Sequence, residues 1–201
     1  IIVPSEFSKW VFENTAYEMQ ISEKEKRNVG CGAPVDVVNY PIKTLDLADN
    51  FEIDLPCEKN YLIVSQWSVR KNMENCIKWF LEEFKNEEVG LVIKTNLAKN
   101  CYFDRSATET KIQQLLIDCG LGGDDVKCKI HLIHGDLTQE EMNSLYSHKK
   151  ITALITTTHG EGYGLPIFEA AYNELPVVVP GWSGHLDFLY APVRDKKGKV
   201  K

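Results

Sequence analysis

A doubly wound α/β fold, in which a parallel sheet carries helices on both faces, is what the amino-acid sequence predicts. Three observations carry that expectation. Beyond Asn60 short apolar runs of strand length alternate with stretches whose apolar residues recur at helical spacing. The composition shifts near Asn60 from a linker-like stretch to this regular alternation. The best-defined segment, ITALITTTHGEGYGLPIFEAAYNELPVVVPGWSGHLDFL at 151–189, reads as a buried strand, a glycine-rich loop, a helix, a second buried strand and a small-residue loop.

In chain order, residues 1–4 read as the end of a strand, and Ser5 as the N-cap of a helix bearing Phe7, Trp10, Val11 and Phe12. That is half of a βα unit. The run ISEKEKR at 21–27 is polar and expected to be exposed, and VGCGAPVDVVNYP at 29–41 brings small residues and prolines that break regular structure. Residues 37–57 read as linker and loop. Strands are then predicted over 61–67, 89–95, 129–134, 151–157 and 176–179. Between them the spacing predicts helices over 72–84, with Met73, Cys76, Ile77, Phe80 and Phe84 on one face, and over about 106–119, ended by Gly120, Gly122 and Gly123. Two more are predicted, from Thr138 to Tyr146 with Glu141 completing a capping box, and over 165–172. No internal repeat or low-complexity segment is present.

Composition bounds the function. With 201 residues, 43% hydrophobic and 26% charged, the chain has material for one sizeable core and an appendage. Its 29 acidic and 23 basic residues leave a formal charge of −6, and no basic block tracks a phosphate backbone, which argues against a nucleic-acid partner. No run approaches the ~18 apolar residues of a membrane span. No leader-like segment is seen, so no integral membrane segment and a cytoplasmic setting are expected. Six cysteines are scattered without a CxxC pair or companion histidines, so buried free thiols are expected rather than disulfides or zinc. The opening on Ile1-Ile2-Val3 and the closing KKGKVK lead to the expectation of a piece of a longer protein.

Chemistry concentrates in the loop 159–165. In an open parallel sheet, ligands gather outside the carboxyl ends of the strands, and this loop follows such an end. Gly160, Gly162 and Gly164 remove side-chain bulk, so peptide N–H groups can approach a ligand, and the helix beginning near Leu165 favours an anion such as phosphate. Glu161 and Glu169 stand eight positions apart, one in the loop and one on the helix. Carboxylates accept paired hydrogen bonds from vicinal hydroxyls, as ribose and hexose present them. Phe168, Ala170 and Ala171 surround Glu169 with packing residues.

The segment HGEGYGLPIFEAAYNELPVVVP resembles the E-x7-E signature of retaining GT-B glycosyltransferases, the group-1 or family-four type, with Glu161 and Glu169 as its two acids. The resemblance implies a Rossmann-like domain, the C-terminal half of a GT-B fold, preceded by a remnant of the other half. It implies that Glu169 binds the ribose of a nucleotide-diphosphate sugar. Glu161, with the backbone of Gly162, Tyr163, Gly164 and Leu165, would hold the transferred sugar and the phosphates. VSQWSVRKN at 64–72 looks like the family's first-strand loop, in which Lys71 matches a diphosphate-gripping lysine. Ser65-Gln66 stand where the family has glycine-arginine, and Arg70 supplies a cation from a different position. Two cations at a helix start oppose its dipole, which a dianionic ligand would offset. His134 and Gly135, in IHGDL at 133–137, resemble the loop bordering the nucleotide base, and GWSGH at 181–185 the loop near the sugar and acceptor.

The implied organisation is a remnant of an acceptor domain at 1–35, an interdomain linker at 36–58 and a donor-binding domain at 59–201. The implied activity is retaining transfer of a hexose from a nucleotide-diphosphate sugar to a glycan, lipid or protein acceptor. Leaving-group stabilisation by Lys71, Arg70 and backbone amides needs no metal, and no Asp-x-Asp motif is present, so no cofactor is expected. The alternatives are a non-catalytic nucleotide-sugar or glycan-binding module of the same fold and, further off, a two-carboxylate glycosidase, which has no use for a phosphate loop. A fragment lacking the acceptor domain would turn over poorly.

Overall fold

The computed structural model describes residues 1–41, 44–121 and 126–190. The expected helix terminators Gly122 and Gly123, and the basic residues 196–201, lie outside the described residues. The chain divides into two units, Ile1–Lys43 with Gly160–Gly164 and Gly181–Lys201, and Thr44–His159 with Leu165–Pro180.

The second unit is the regular one. Strands β5 (Asn60–Val64), β6 (Gly90–Lys94), β7 (Lys129–Ile133), β8 (Ile151–Ile155) and β9 (Val177–Val178) form one sheet in the order β7-β6-β5-β8-β9, with every pair parallel. Helices α2 (Met73–Phe84), α3 (Tyr102–Asp118), α4 (Gln139–Tyr146) and α5 (Leu165–Tyr172) connect and flank it. Successive strand side chains point to opposite faces. Ile63, Leu91 and Ile93 therefore share one face, in a buried cluster with Met73, Ile77, Phe80 and Leu81 of α2 and Ile112 of α3. Their neighbours Leu62, Val92 and Leu154 are in register on the other face and are equally buried. A strand buried on both faces reads as a continuous apolar run, which is why these segments stand out in the sequence.

Helix starts follow local chemistry. Thr138 caps α4, accepting from Glu141 N–H at 3.2 Å while the Glu141 carboxylate accepts from Thr138 N–H at 2.7 Å, the predicted capping box. Helix α3 begins earlier than the predicted 106. Tyr102 and Phe103 point outward, so the first turn carries no apolar periodicity, and Asp104 folds the preceding loop by accepting from its N–H groups. Strands β5 and β8 stop short of their predicted ends because the chain turns into loops at Ser65 and Thr156. Residues 44–58 carry no helix or strand but are held locally: Thr44 and Asp46 carbonyls accept from Asn143 Nδ2, each at 3.0 Å.

The first unit contains β1 (Ile2–Val3), parallel to β4 (Asp36–Val37), helix α1 (Glu6–Asn14), and the short α6 (Leu186–Leu189). Ser5 caps α1 as predicted, accepting from Ser8 N–H at 3.0 Å. The polar run at 21–27 is exposed, yet it is not irregular. Residues Ala16–Ser22 (β2) and Glu25–Gly30 (β3) form an antiparallel hairpin with every residue exposed. Cross-strand hydrogen bonds, rather than burial, define this ribbon, so a reading built on apolar patterning passes over it. The six cysteines are free, but only Cys76 and Cys128 are buried, and Cys101 is exposed. Among the described residues no helix is long and apolar enough to cross a membrane.

One close approach pins the amino-terminal edge of the central strands. Asn60 is 0% exposed; its Nδ2 donates to the carbonyls of Cys57 (2.7 Å) and Lys150 (3.1 Å). Its Oδ1 faces Gly90, where an added Cβ would lie 1.9 Å away. Gly90→Ala is therefore expected to destabilise the protein by about 1–3 kcal/mol. The cost should shrink in an Asn60→Ala background, as read from denaturant midpoints.

Candidate functional site

Parallel strands deliver their following loops to one end of the sheet, and most of the predicted site residues of the second unit arrive there. The loop after β5 carries Gln66, Arg70 and Lys71; Gln66 and Arg70 are exposed and Lys71 half-buried. Gln66 Nε2 donates to Leu97 O at 3.3 Å, in the loop after β6. The Arg70 carbonyl accepts from His159 N–H at 2.8 Å and from the Thr158 hydroxyl at 3.3 Å. Asn72, at φ 53°, donates through Nδ2 to the Thr157 carbonyl at 3.1 Å. That left-handed conformation is one asparagine tolerates, and it turns the chain into α2. The cationic loop and the segment leading into the glycine-rich loop are thus clasped to each other across 85 to 89 residues of sequence.

His134 and Gly135 follow β7. The His134 side chain is only 3% exposed, and its Nε2 lies 2.8 Å from Asp104 Oδ1, itself 8% exposed. Asp104 also accepts from the N–H groups of Leu97 (3.0 Å), Ala98 (2.8 Å) and Lys99 (2.9 Å). The His134 ring holds the Asp104 carboxyl well below the usual carboxylate range; burial opposes this, and the backbone donors add to it. His134 therefore presents backbone, rather than its ring, at the strand end. Gly135 takes φ 106°, and its carbonyl accepts from the half-buried Lys94 amine, whose pKa burial pushes down and Asp136 pushes back up.

Glu169 projects from the second turn of α5 and is half-buried. Tyr146, the last residue of α4, donates its hydroxyl to Glu169 Oε2 at 3.2 Å. Leu165 is the first residue of α5, and the helix accommodates Pro166 in its opening turn, where a missing N–H costs nothing. A cleft of about 420 Å³ at the same end is lined by Trp67, Ser68, Asn72, Met73, Leu97 and His159. Another, of about 490 Å³, sits at the opposite end of the strands beside Cys57, Glu58, Lys127 and Lys150, away from every predicted site residue.

Glu161, Gly162, Tyr163 and Gly164 belong to the first unit. Glu161 is 8% exposed; its N–H donates to Ser183 Oγ at 2.8 Å, and its carbonyl accepts from Gly184 N–H at 3.0 Å. The Gly162 carbonyl accepts from the hydroxyls of Ser5 and Ser8 at the start of α1. A Cβ on Gly184 would sit 2.1 Å from that carbonyl, so the second small-residue loop needs glycine there to close on the first. The Tyr163 ring packs between Tyr40 (5.2 Å) and Phe188 (5.0 Å). Trp182 packs edge-on to Phe7 at 5.6 Å, which makes it a packing residue of this unit.

Sequence reasoning did not find Asp104, Tyr146, Asn72 or Ser183. Asn72 and Ser183 lie inside the segments 64–72 and 181–185, and Asp104 and Tyr146 in no such segment, but each matters through a partner distant in sequence. Among the described residues no group of three or more His, Cys, Asp or Glu side chains converges as a metal site.

No family model matches the chain, and no curated protein matches it in sequence. Solved structures do match. A glycosyltransferase from Rickettsia africae superposes with a TM-score of 0.62 at 14% identity, over 94% of this chain and 46% of that one. A trehalose-6-phosphate structure from E. coli, bound with UDP-2-fluoro glucose, gives 0.56 at 13% identity, over 94% and 47%. The pneumococcal O-GlcNAc transferase in complex with UDP and GlcNAc gives 0.55 at 15%, over 92% and 31%. The chain thus spans a third to a half of these structures. They are GT-B glycosyltransferases, and what the chain shares with them is the α/β, Rossmann-like fold.

Asp104 provides a test of how the loops are held. A carboxyl whose folded pKa is depressed contributes stability above its ordinary value of 3.8, and that stability is lost as the pH falls through the folded pKa. Asp104→Asn should therefore lower the Tm at pH 7, and the gap from wild type should close as the pH drops below about 4. A constant gap across pH in thermal melts would assign the loss to packing instead.

Proposed function

We propose that the chain is the donor-binding part of a retaining glycosyltransferase that moves a hexose from a nucleotide-diphosphate sugar to a glycan, lipid or protein acceptor. The observation that carries this reading is the clasp between the Arg70–Asn72 loop and residues 157–159 at the carboxyl end of a parallel sheet. The fold shared with glycosyltransferases supports it. In this reading Lys71 and Arg70 hold the donor diphosphate and neutralise the charge that builds on it as the glycosidic bond breaks. Glu169 accepts from the ribose hydroxyls. Glu161 orients the transferred hexose, with the N–H groups of Gly162, Tyr163, Gly164 and Leu165 contributing to the anion site. Gly135 and the backbone of His134 border the base, and Gln66 lies near the phosphates. The acceptor attacks from the face the leaving group departs, and the departing phosphate takes its proton, so the anomeric configuration is retained. Cations and fixed dipoles supply the electrostatic stabilisation, and we propose that the reaction needs no metal and proceeds in the cytoplasm.

Gln66, where the resembled family carries arginine, favours one second reading: a binding module of the same fold that holds nucleotide sugars without turnover.

Calorimetric titration with UDP-, GDP- and ADP-sugars is expected to give saturable binding. Glu169→Ala and Lys71→Ala should each weaken it by about 10- to 100-fold, as expected for a lost charge-assisted hydrogen bond. Binding indifferent to both changes would refute the donor-site assignment. EDTA should leave affinity, and any transfer to added acceptors, unaltered. Tight binding with no transfer in the full-length protein would select the module.

A further inference from the structure

The contact between Tyr146 and Glu169 has the properties of a device that aims a carboxylate. Tyr146 closes α4, is 1% exposed, and directs its hydroxyl at Glu169 Oε2 across 3.2 Å. Burial, the Glu169 charge and the hydrogen bond all push the phenol's pKa up, so it stays protonated and stays a donor. The two helices are held at fixed separation around that contact. Ser147 Oγ donates to Asn173 Oδ1 at 3.2 Å, and Asn173 Nδ2 reaches both the Glu169 carbonyl (2.9 Å) and Asn143 Oδ1 (3.5 Å). Asn143 is anchored in turn by Gln139 and by the carbonyls of Thr44 and Asp46. A glutamate side chain is rich in rotamers, and fixing one oxygen to a rigid, buried donor removes most of that freedom.

We propose that Tyr146 is a positioning residue: by holding Glu169 Oε2 it sets the direction of the carboxylate toward the sugar hydroxyls of a bound nucleotide, and so governs discrimination between ribo- and 2′-deoxyribonucleotides. This rests on the assignment of Glu169 to the ribose. A carboxylate can accept several hydrogen bonds at once, so engagement by the phenol is compatible with acceptance from a vicinal hydroxyl pair. Without the phenol the carboxylate loses this restraint on Oε2, and the hydroxyl pair meets a less preset acceptor.

The experiment uses the chain and its Tyr146→Phe and Glu169→Ala variants, titrated with UDP, GDP and ADP and with their 2′-deoxy counterparts. The quantity read is the ratio of ribo to deoxy affinity for the base that binds tightest. Any loss of folded protein scales both affinities equally and cancels in that ratio. Wild type should prefer the ribonucleotide, Glu169→Ala should abolish the preference, and Tyr146→Phe should reduce it by about three- to tenfold. An unchanged ratio in Tyr146→Phe, with the preference lost in Glu169→Ala, would overturn the role of Tyr146 and leave the ribose assignment standing. Persistence of the preference in Glu169→Ala would overturn that assignment, and so would an absence of binding by all three bases; either result removes this proposal with it.

Discussion

Parallel pairing is the constraint on which everything else here depends. Strand β5 is hydrogen-bonded in parallel to both β6 and β8, and each strand of a parallel sheet must hand its chain to a loop at the same end. The loops that carry Gln66 and Lys71, Gly135, and His159 are far apart in the sequence and arrive at one end of the sheet for that reason. The register is protected at the other end, where Asn60 is buried against the backbone of Gly90 and ties the start of β5 to Cys57 and Lys150. A side chain at Gly90 would disturb the strands whose far ends carry the candidate site.

Gathering loops is not the same as ordering them, and here the ordering falls to a few polar contacts. Asp104 is the most connected of these. One carboxylate takes three N–H groups of the loop after β6 and the ring of His134 after β7, and the loop it folds accepts from Gln66 after β5. Three βα loops are thereby made into one surface. A buried carboxylate left without such partners would be costly, so the same network that shapes the surface also makes the acid's burial tolerable. The clasp of Asn72 and Arg70 on residues 157–159 does the equivalent on the other side of β5, and Tyr146 does it for Glu169.

Much of the fold was legible because the second unit buries its strands on both faces. Leu62-Ile63, Leu91-Val92-Ile93 and Ala153-Leu154 leave no ambiguity about where strands lie. Helix α4 was legible to the residue through its capping box, and α5 through the pattern that follows the glycine-rich loop. The start of α3 was not, because Tyr102 and Phe103 face outward and its real beginning is set by Asp104 reaching back to the loop. The β2–β3 hairpin was passed over because both of its faces are exposed, and a ribbon held by cross-strand hydrogen bonds leaves no apolar signature. His134 was legible as a residue at a strand end, whereas its ring's engagement with Asp104 was not.

The sequence by itself determined the class of fold and the strand ends to which the loops are delivered. These are properties of residue type and local spacing, and burial period and loop composition express them without reference to distant partners. Only the tertiary structure decided which side chains are already engaged: at that end the His134 ring by Asp104 and one oxygen of Glu169 by Tyr146, and within the first unit the Tyr163 ring by Tyr40 and Phe188. The reason is physical. Hydrogen-bond partnership depends on distances of about 3 Å between groups 20 or more residues apart, and no local pattern encodes a distance of that kind.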